Sequence, residues 1–180
     1  MKNVYIEITN VCNLSCSFCP GHKRPPRFMR APEFKEIIGK TDGKADNIFL
    51  HVMGEPLLHP ELEEIIKIAD GMQGETALKI TTNGTLLVEK LPILLESKRL
   101  KTLCISLHSF EANCGGDFEK YIENCLDSAE KVGKTGKFAV LRLWNEGGLD
   151  SLNEKIFDLV KTRFPQENWQ KTRRGMRIGD

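Results

Sequence analysis

The chain lacks several features that define large classes of protein. Its formal net charge is only +1, so no overall charge excess draws it onto nucleic acid or a membrane surface. Basic residues do cluster between His22 and Arg30 and between Lys171 and Arg177. Aromatic side chains that would stack on unpaired bases are scarce in both clusters, so we expect solvated loops and no nucleic-acid partner. No apolar run approaches the roughly 20 residues of a membrane span.

A secretory signal is also missing from the N-terminus. Lys2 and Asn3 lead directly into a β-branched run, which predicts a cytoplasmic protein. Without export, the 6 cysteines are expected to be reduced thiols or metal ligands rather than a disulfide framework. The length of 180 residues predicts one domain over residues 1–180, short of the about 250 residues of a complete eight-fold α/β barrel.

Apolar runs alternate with helical stripes along the chain. Pro60 is placed to begin one helix, Pro92 to restart the next, and Asp117 to cap a third. This alternation indicates βαβ units around a parallel sheet. The sequence therefore predicts an α/β fold, a partial parallel βα barrel of about five units. The runs predicted to be strands are Val4–Ile8, Ile48–Val52, Ala77–Thr82, Leu103–Leu107 and Phe138–Leu143.

Unusual polar loops follow the first four of these strands. In parallel α/β folds the carboxyl ends of the strands lie on one face and build the active site. We therefore expect these loops to converge. They are the segment Cys12–Cys19, Gly54-Glu55-Pro56, Thr82-Asn83-Gly84 and Ser106-Leu107-His108-Ser109.

The first of these loops carries a closely spaced set of thiols, Cys12, Cys16 and Cys19. Iron–sulfur clusters are ordinarily held by four cysteines, so a set of three would leave one iron of a [4Fe–4S] cluster open for chemistry. The alternative is a structural zinc site completed by His22.

The remaining cysteines have simpler interpretations. Cys104 falls inside the fourth predicted strand and Cys125 on a helical stripe, so both are expected to be buried small hydrophobic residues. Cys114 adjoins Gly115 and is expected to be an exposed thiol in a turn.

The cysteine pattern, with Phe18 before the third cysteine, resembles the signature of the radical S-adenosylmethionine (radical SAM) superfamily. Gly54-Glu55-Pro56 resembles the glycine-rich SAM-binding loop of that family, although Met53 stands where a second glycine is usual. The resemblance extends over all five predicted strands. It is greatest to members with a C-terminal twitch or SPASM extension.

The resemblance implies a reaction as well as a fold. In the family, the open iron of the [4Fe–4S] cluster binds the methionine end of S-adenosylmethionine. One electron then cleaves SAM to a 5′-deoxyadenosyl radical, which abstracts hydrogen from a substrate. For this chain the substrate is expected to be a peptide or small molecule, and the electron donor a protein such as flavodoxin or ferredoxin.

The resemblance also implies roles in cofactor binding. Phe18 would lie near the adenine. Gly54 would let backbone groups approach the methionine moiety, Glu55 would contact SAM, and Pro56 would fix the exit from the turn.

Residues on later strands are further candidates. Ser106 is predicted to bond the ribose or carboxylate of SAM, or else a backbone group at the strand end. Arg142 is predicted to bond the SAM carboxylate, or else to form an outward salt bridge. His108 is the candidate acid or base, the alternative being a hydrogen-bonded loop histidine.

The chain differs from the family in its C-terminal part. The family core commonly has six βα units, whereas Met176–Ile178 can begin a sixth strand that nothing completes. No cluster of cysteines follows Cys125. We therefore expect the sixth unit and the extension to be missing, and an open barrel edge to be covered by self-association. The alternative function is a non-catalytic metal-binding module or an inactive remnant of a longer enzyme.

Overall fold

A single seven-stranded sheet organises the chain. The computed structural model describes residues 2–112, 116–143, 151–165, 169–172 and 175–178. The strands are β1 (Asn3–Tyr5), β2 (Asn47–Phe49), β3 (Ala77–Thr82), β4 (Leu100–Ser106), β5 (Phe138–Arg142), β6 (Trp169–Thr172) and β7 (Gly175–Ile178). Their order in the sheet is β1-β2-β3-β4-β5-β7-β6. The first five strands pair in parallel, which confirms the predicted α/β class and partial parallel barrel.

Helices connect the parallel strands and cover one face of the sheet. Leu78 and Ile80 are fully buried on that face, whereas Lys79 and Thr81 are partly exposed on the other, which we call the inner face. Among the described residues, no helix has the length and apolar character needed to cross a membrane. The helices are α1 (Ala31–Thr41), α2 (Leu62–Asp70), α3 (Leu87–Glu96), α4 (Phe118–Lys134) and α5 (Asn153–Arg163), with 3-10 turns at Pro56–Leu58 and Leu107–Ala112.

The sheet ends in an antiparallel hairpin. β7 contains the predicted strand Met176–Ile178, but it runs antiparallel to β5, with Arg142 opposite Arg177. It also pairs antiparallel with β6. The predicted sixth strand is therefore not part of a parallel βα unit, and the absence of a sixth βα unit stays a prediction. The hairpin pairs with β5 at Arg142, and β6 becomes the outer strand of the described sheet, so the covering of an open edge by self-association stays a prediction.

Helix α1 is an element that the sequence analysis does not predict. It follows a stretch rich in proline and basic residues, which was interpreted as a solvated loop. The Glu33 carboxylate accepts the Arg30 N–H at 2.9 Å, and the Glu61 carboxylate accepts the Ala31 N–H at 2.7 Å. Phe34 and Ile38 are buried. Side chains at the helix N-terminus and an apolar stripe thus stabilise α1.

The predicted helix starts are confirmed to different degrees. The Asp117 side chain accepts the Lys120 N–H and caps α4, as predicted. Helix α2 begins at Leu62, two residues after Pro60.

Pro92 lies inside α3 rather than at a restart, so that prediction is wrong. Proline removes the hydrogen bond to the carbonyl four residues earlier, here that of Val88. Pro92 and Val88 are both exposed, so water can solvate the released carbonyl, while Leu91 and Leu94 are buried in the core. Packing of the apolar stripe thereby maintains a helix that contains a proline.

We expect Pro92→Ala to raise the free energy of unfolding by about 1–3 kcal/mol, because alanine restores the missing N–H donor. The measurement is urea unfolding of the metal-free protein. Val88→Ala, at a position that is 64% exposed in the same helix, is the control and should change stability by less than about 0.5 kcal/mol. A loss of stability in the Pro92 variant would contradict the account of α3.

Candidate functional site

The loops after β1, β2, β3 and β4 meet at one edge of the sheet, as predicted. They surround a cavity of about 590 Å³. Its wall includes the three cysteines and Phe18 from the first loop, and residues from the ends of β2, β3 and β4. They are Cys12, Cys16, Phe18, Cys19, His51, Gly54, Glu55, Thr81, Asn83, Ser106 and Ser109.

Gly54 lies where two chain segments touch backbone to backbone. Its φ is +75°, a conformation that favours glycine. A Cβ atom at this position would lie 2.6 Å from the Thr9 carbonyl oxygen and 2.8 Å from that of Val11. The next residue continues the contact, because the Glu55 N–H donates to the Val11 carbonyl at 2.8 Å. Gly54 therefore allows the loop after β2 to pack directly on the segment that enters the cysteine loop.

The Glu55 carboxylate is buried and joins two of the loops. One oxygen accepts the Leu57 N–H at 2.9 Å and the Thr82 hydroxyl at 2.8 Å. The other oxygen accepts the Asn83 N–H at 2.6 Å. Burial raises the pKa of Glu55 to about 7, against the effect of these hydrogen bonds. Its carboxyl group is thus a structural acceptor as well as part of the cavity wall.

The three cysteine thiols share the cavity, and two of them have polar neighbours. The Asn83 amide donates to Cys12 Sγ at 3.8 Å. Burial raises the pKa of Cys12 and raises that of Cys16 to about 11, although a hydrogen bond with Ser109 opposes the shift at Cys16. The cysteines would therefore release protons when they bind iron as thiolates.

The thiols are not gathered around a single point. Within the described ranges, no three His, Cys, Asp or Glu side chains are close enough to bind one metal ion. His22, the fourth ligand of the zinc alternative, contacts the Asn10 carbonyl through Nε2 at 2.7 Å. A cluster distributes its cysteine ligands over separate irons, so the donor set fits a cluster better than a mononuclear site.

The other predicted cofactor residues lie on or beside the cavity. Phe18 and Ser106 are on its wall, whereas Pro56 is buried and begins a 3-10 turn. Arg142 reaches across the inner face, where its Nη1 donates to the Thr81 hydroxyl at 3.3 Å. The His108 ring packs edge-on against Phe18, with centroids 4.7 Å apart, and its Nδ1 lies 3.0 Å from the Arg142 carbonyl.

His51 and Thr81 are cavity residues to which the sequence analysis gives no role. His51 Nε2 lies 3.1 Å from the Thr81 hydroxyl, while its buried Nδ1 has no hydrogen-bond partner among the described atoms. Burial, with a smaller effect of Arg142, lowers the pKa of His51 to about 4. In the sequence, the only signal that His51 lines the cavity is its position three residues before Gly54.

A second layer supports the loop after β3. The Tyr121 hydroxyl donates to the Asn83 carbonyl at 2.7 Å. Gly84 has a φ of +84°, and a Cβ there would lie 2.8 Å from Cys125 Sγ. Cys104 and Cys125 are buried, as predicted, whereas Cys114 lies outside the described residues. Helix α4 thus positions the loop after β3 through Tyr121 and Cys125.

The fold and the site together define a protein with a partial parallel α/β barrel and a thiol-lined cavity at the carboxyl ends of its parallel strands. Residues 6–143 match the sequence profile of the Radical SAM superfamily. The chain belongs to this family of enzymes.

Curated relatives extend the comparison. The chain is 37% identical over 115 residues to a GTP 3′,8-cyclase of Aquifex aeolicus, a match that covers 61% of this chain and 36% of the relative. It is 31% identical over 196 aligned positions to a GTP 3′,8-cyclase of Lactiplantibacillus plantarum, which covers 97% of this chain and 59% of the relative. The chain thus spans less than two thirds of these relatives.

Solved structures show the same fold. SuiB of Streptococcus suis superposes with a TM-score of 0.66 at 19% identity, over 89% of this chain and 37% of SuiB. The structure of anSMEcpe with bound AdoMet and a peptide superposes with a TM-score of 0.61 at 19% identity, over 92% of this chain and 47% of that one.

We expect Gly54→Ala to destabilise the protein more than Gly136→Ala. Both glycines have a similar φ, +75° and +74°, but a Cβ at Gly136 would meet nothing within 4 Å. The control should lose about 1–2 kcal/mol for backbone strain. The Gly54 variant should lose about 1–3 kcal/mol more, because its Cβ collides with backbone. Urea unfolding of both variants measures the difference, and equal losses would contradict the close approach of the two segments.

The lowered pKa of His51 predicts a pH dependence of stability. A group whose pKa falls from 6.5 to about 4 on folding stabilises the fold above pH 6.5, and this contribution is lost as the pH falls towards 4. Between pH 7 and pH 4, the wild type should lose up to about 3 kcal/mol more stability than His51→Gln. Urea unfolding at several pH values gives both curves, and parallel curves would contradict the burial of a neutral His51.

Proposed function

We propose that Cys12, Cys16 and Cys19 hold a [4Fe–4S] cluster and that the adjoining cavity binds S-adenosylmethionine. One observation carries this proposal: the three thiols and the Gly54-Glu55 segment line the same cavity. The family to which the chain belongs supports the choice of cofactors.

The cavity suits a ligand of the size and polarity of SAM. Its volume of about 590 Å³ is within the range of small-molecule sites, about 300–1,000 Å³. Phe18 supplies an aromatic surface for an adenine ring, and Ser106 supplies a hydroxyl group. The buried His51 Nδ1, which has no partner among the described atoms, is available to a polar group of the ligand.

Cys12, Cys16 and Cys19 would hold the cluster, which would supply the electron for reductive cleavage of SAM and so the radical chemistry on a substrate. The residues of this chain hold and orient the cofactors. Gly54 permits close backbone approach, and the bonds of Glu55 fix the loop. The apolar Phe18 ring, packed on His108, helps to exclude water from the cavity. We propose a small one-electron carrier such as flavodoxin or ferredoxin as the electron donor.

The curated relatives make GTP the first substrate to test, because GTP 3′,8-cyclases act on it by name. The inner face carries positive charge that suits an anionic group. Lys79 lies over the Phe49 ring, with Nζ 5.5 Å from the centroid, and Arg142 reaches Thr81 on the same face. A peptide or another small molecule is the remaining class of substrate.

We expect anaerobic reconstitution with iron and sulfide to give a brown protein that forms 5′-deoxyadenosine from SAM when a strong reductant is added. Cys16→Ala should abolish the colour and the SAM cleavage, because one cluster ligand is lost. Iron and sulfide analysis, absorbance spectra and chromatography of the products measure these outcomes.

Cys125→Ala is the matched control, because this thiol is buried in the core and burial raises its pKa to about 12. This variant should keep the cluster. A colourless wild type with stoichiometric zinc would overturn the proposal in favour of the metal-binding module. A bound cluster without SAM cleavage would support an inactive remnant.

A further inference from the structure

Asn83, at the end of β3, is fixed by hydrogen bonds to three parts of the site. Its backbone N–H donates to Glu55 Oε2 at 2.6 Å, and its carbonyl accepts the Tyr121 hydroxyl at 2.7 Å. Its side-chain amide donates to Asn13 Oδ1 at 2.8 Å and to Cys12 Sγ at 3.8 Å. Asn83 therefore connects the loop after β2, helix α4 and the cysteine loop.

The orientation of the Asn83 amide is determined by Thr85. The Thr85 backbone N–H lies 3.0 Å from Asn83 Oδ1, and a backbone N–H can only donate, so this atom must be the amide oxygen. The Thr85 hydroxyl also donates to it at 2.7 Å and accepts from Asn13 Nδ2 at 2.9 Å. The Asn83 NH₂ group is consequently directed at Cys12 Sγ and Asn13.

We infer that Asn83 is a positioning residue that tunes the reduction potential of the cluster through its N–H···S hydrogen bond to Cys12. The inference rests on the proposed cluster. Hydrogen bonds to the sulfur ligands stabilise the reduced, more negative form of an iron–sulfur cluster and so raise its potential. The backbone N–H of the same residue donates to Glu55. The donor to the cluster ligand is therefore tied to the loop proposed to bind SAM.

The test is an EPR-monitored redox titration of the reconstituted cluster without SAM. Asn83→Leu keeps the approximate size of the side chain but removes the donor, so the midpoint potential should shift to a more negative value. Thr85→Val removes the hydroxyl but keeps the N–H that orients Asn83, so its potential should equal that of the wild type. A Thr85 variant that shifted as far as the Asn83 variant would overturn the inference, because loop rigidity would then set the potential.

Asn47→Leu controls for the loss of a buried asparagine. Asn47 is 5% exposed, compared with 8% for Asn83, and donates to Asn3 rather than to a cysteine. The midpoint potential of the cluster in Asn47→Leu should equal that of the wild type. If Asn83→Leu does not retain the cluster, Asn83→Asp keeps the acceptor for Thr85 and replaces the donor by a negative charge. This variant should shift the potential further in the negative direction, and an unchanged or higher value would overturn the inference.

The two proposals fail in distinguishable ways. A wild-type protein that takes up no cluster would overturn the proposed function. A wild-type cluster with a reversible couple, together with an unshifted Asn83 variant, would overturn only the role of Asn83.

Discussion

The site depends on one buried carboxylate. Glu55 accepts a hydrogen bond from Leu57 in its own loop and bonds from Thr82 and Asn83, and the last two join the loop after β2 to the end of β3. A buried carboxylate without such donors would carry a large desolvation penalty. Because all three donors converge on Glu55, the loops cannot move apart without exposing an unsatisfied acidic group to the interior.

The cysteine loop is held to the same assembly by contacts of a different kind. Gly54 packs on the backbone of Thr9 and Val11, so any side chain at this position would collide with the segment before Cys12. After Cys12, Asn13 takes part in the hydrogen bonds with Asn83 and Thr85. Cys12 thus has fixed neighbours on both sides, which is the preorganisation that its proposed role as a cluster ligand would need.

The features of the protein that depend on patterns within short segments could be predicted from the sequence. The spacing of Cys12, Cys16 and Cys19, the Gly54-Glu55-Pro56 loop and the alternation of apolar runs are patterns within short segments, and they predicted the site face and the parallel sheet. The predicted helix restart at Pro92 is wrong because the cost of a proline depends on whether that side of the helix is exposed, which tertiary packing decides. The roles of Asn83 and His51 arise from contacts between strands distant in sequence, which no local pattern records. The direction of β7 likewise depends on its pairing with β5 and β6.

The hairpin of β6 and β7 adjoins the last parallel strand, β5, at one side of the sheet. Because Arg177 lies opposite Arg142 at the end of β5, and Thr172 pairs with Gly175, the end of β6 and the start of β7 lie at the edge of the sheet where the polar loops lie. On the side away from β4, the strand that carries Arg142 is therefore bordered by β7 and not by a further parallel strand, so a change in the hairpin would act first on β5 and only through it on the cysteine and glycine loops.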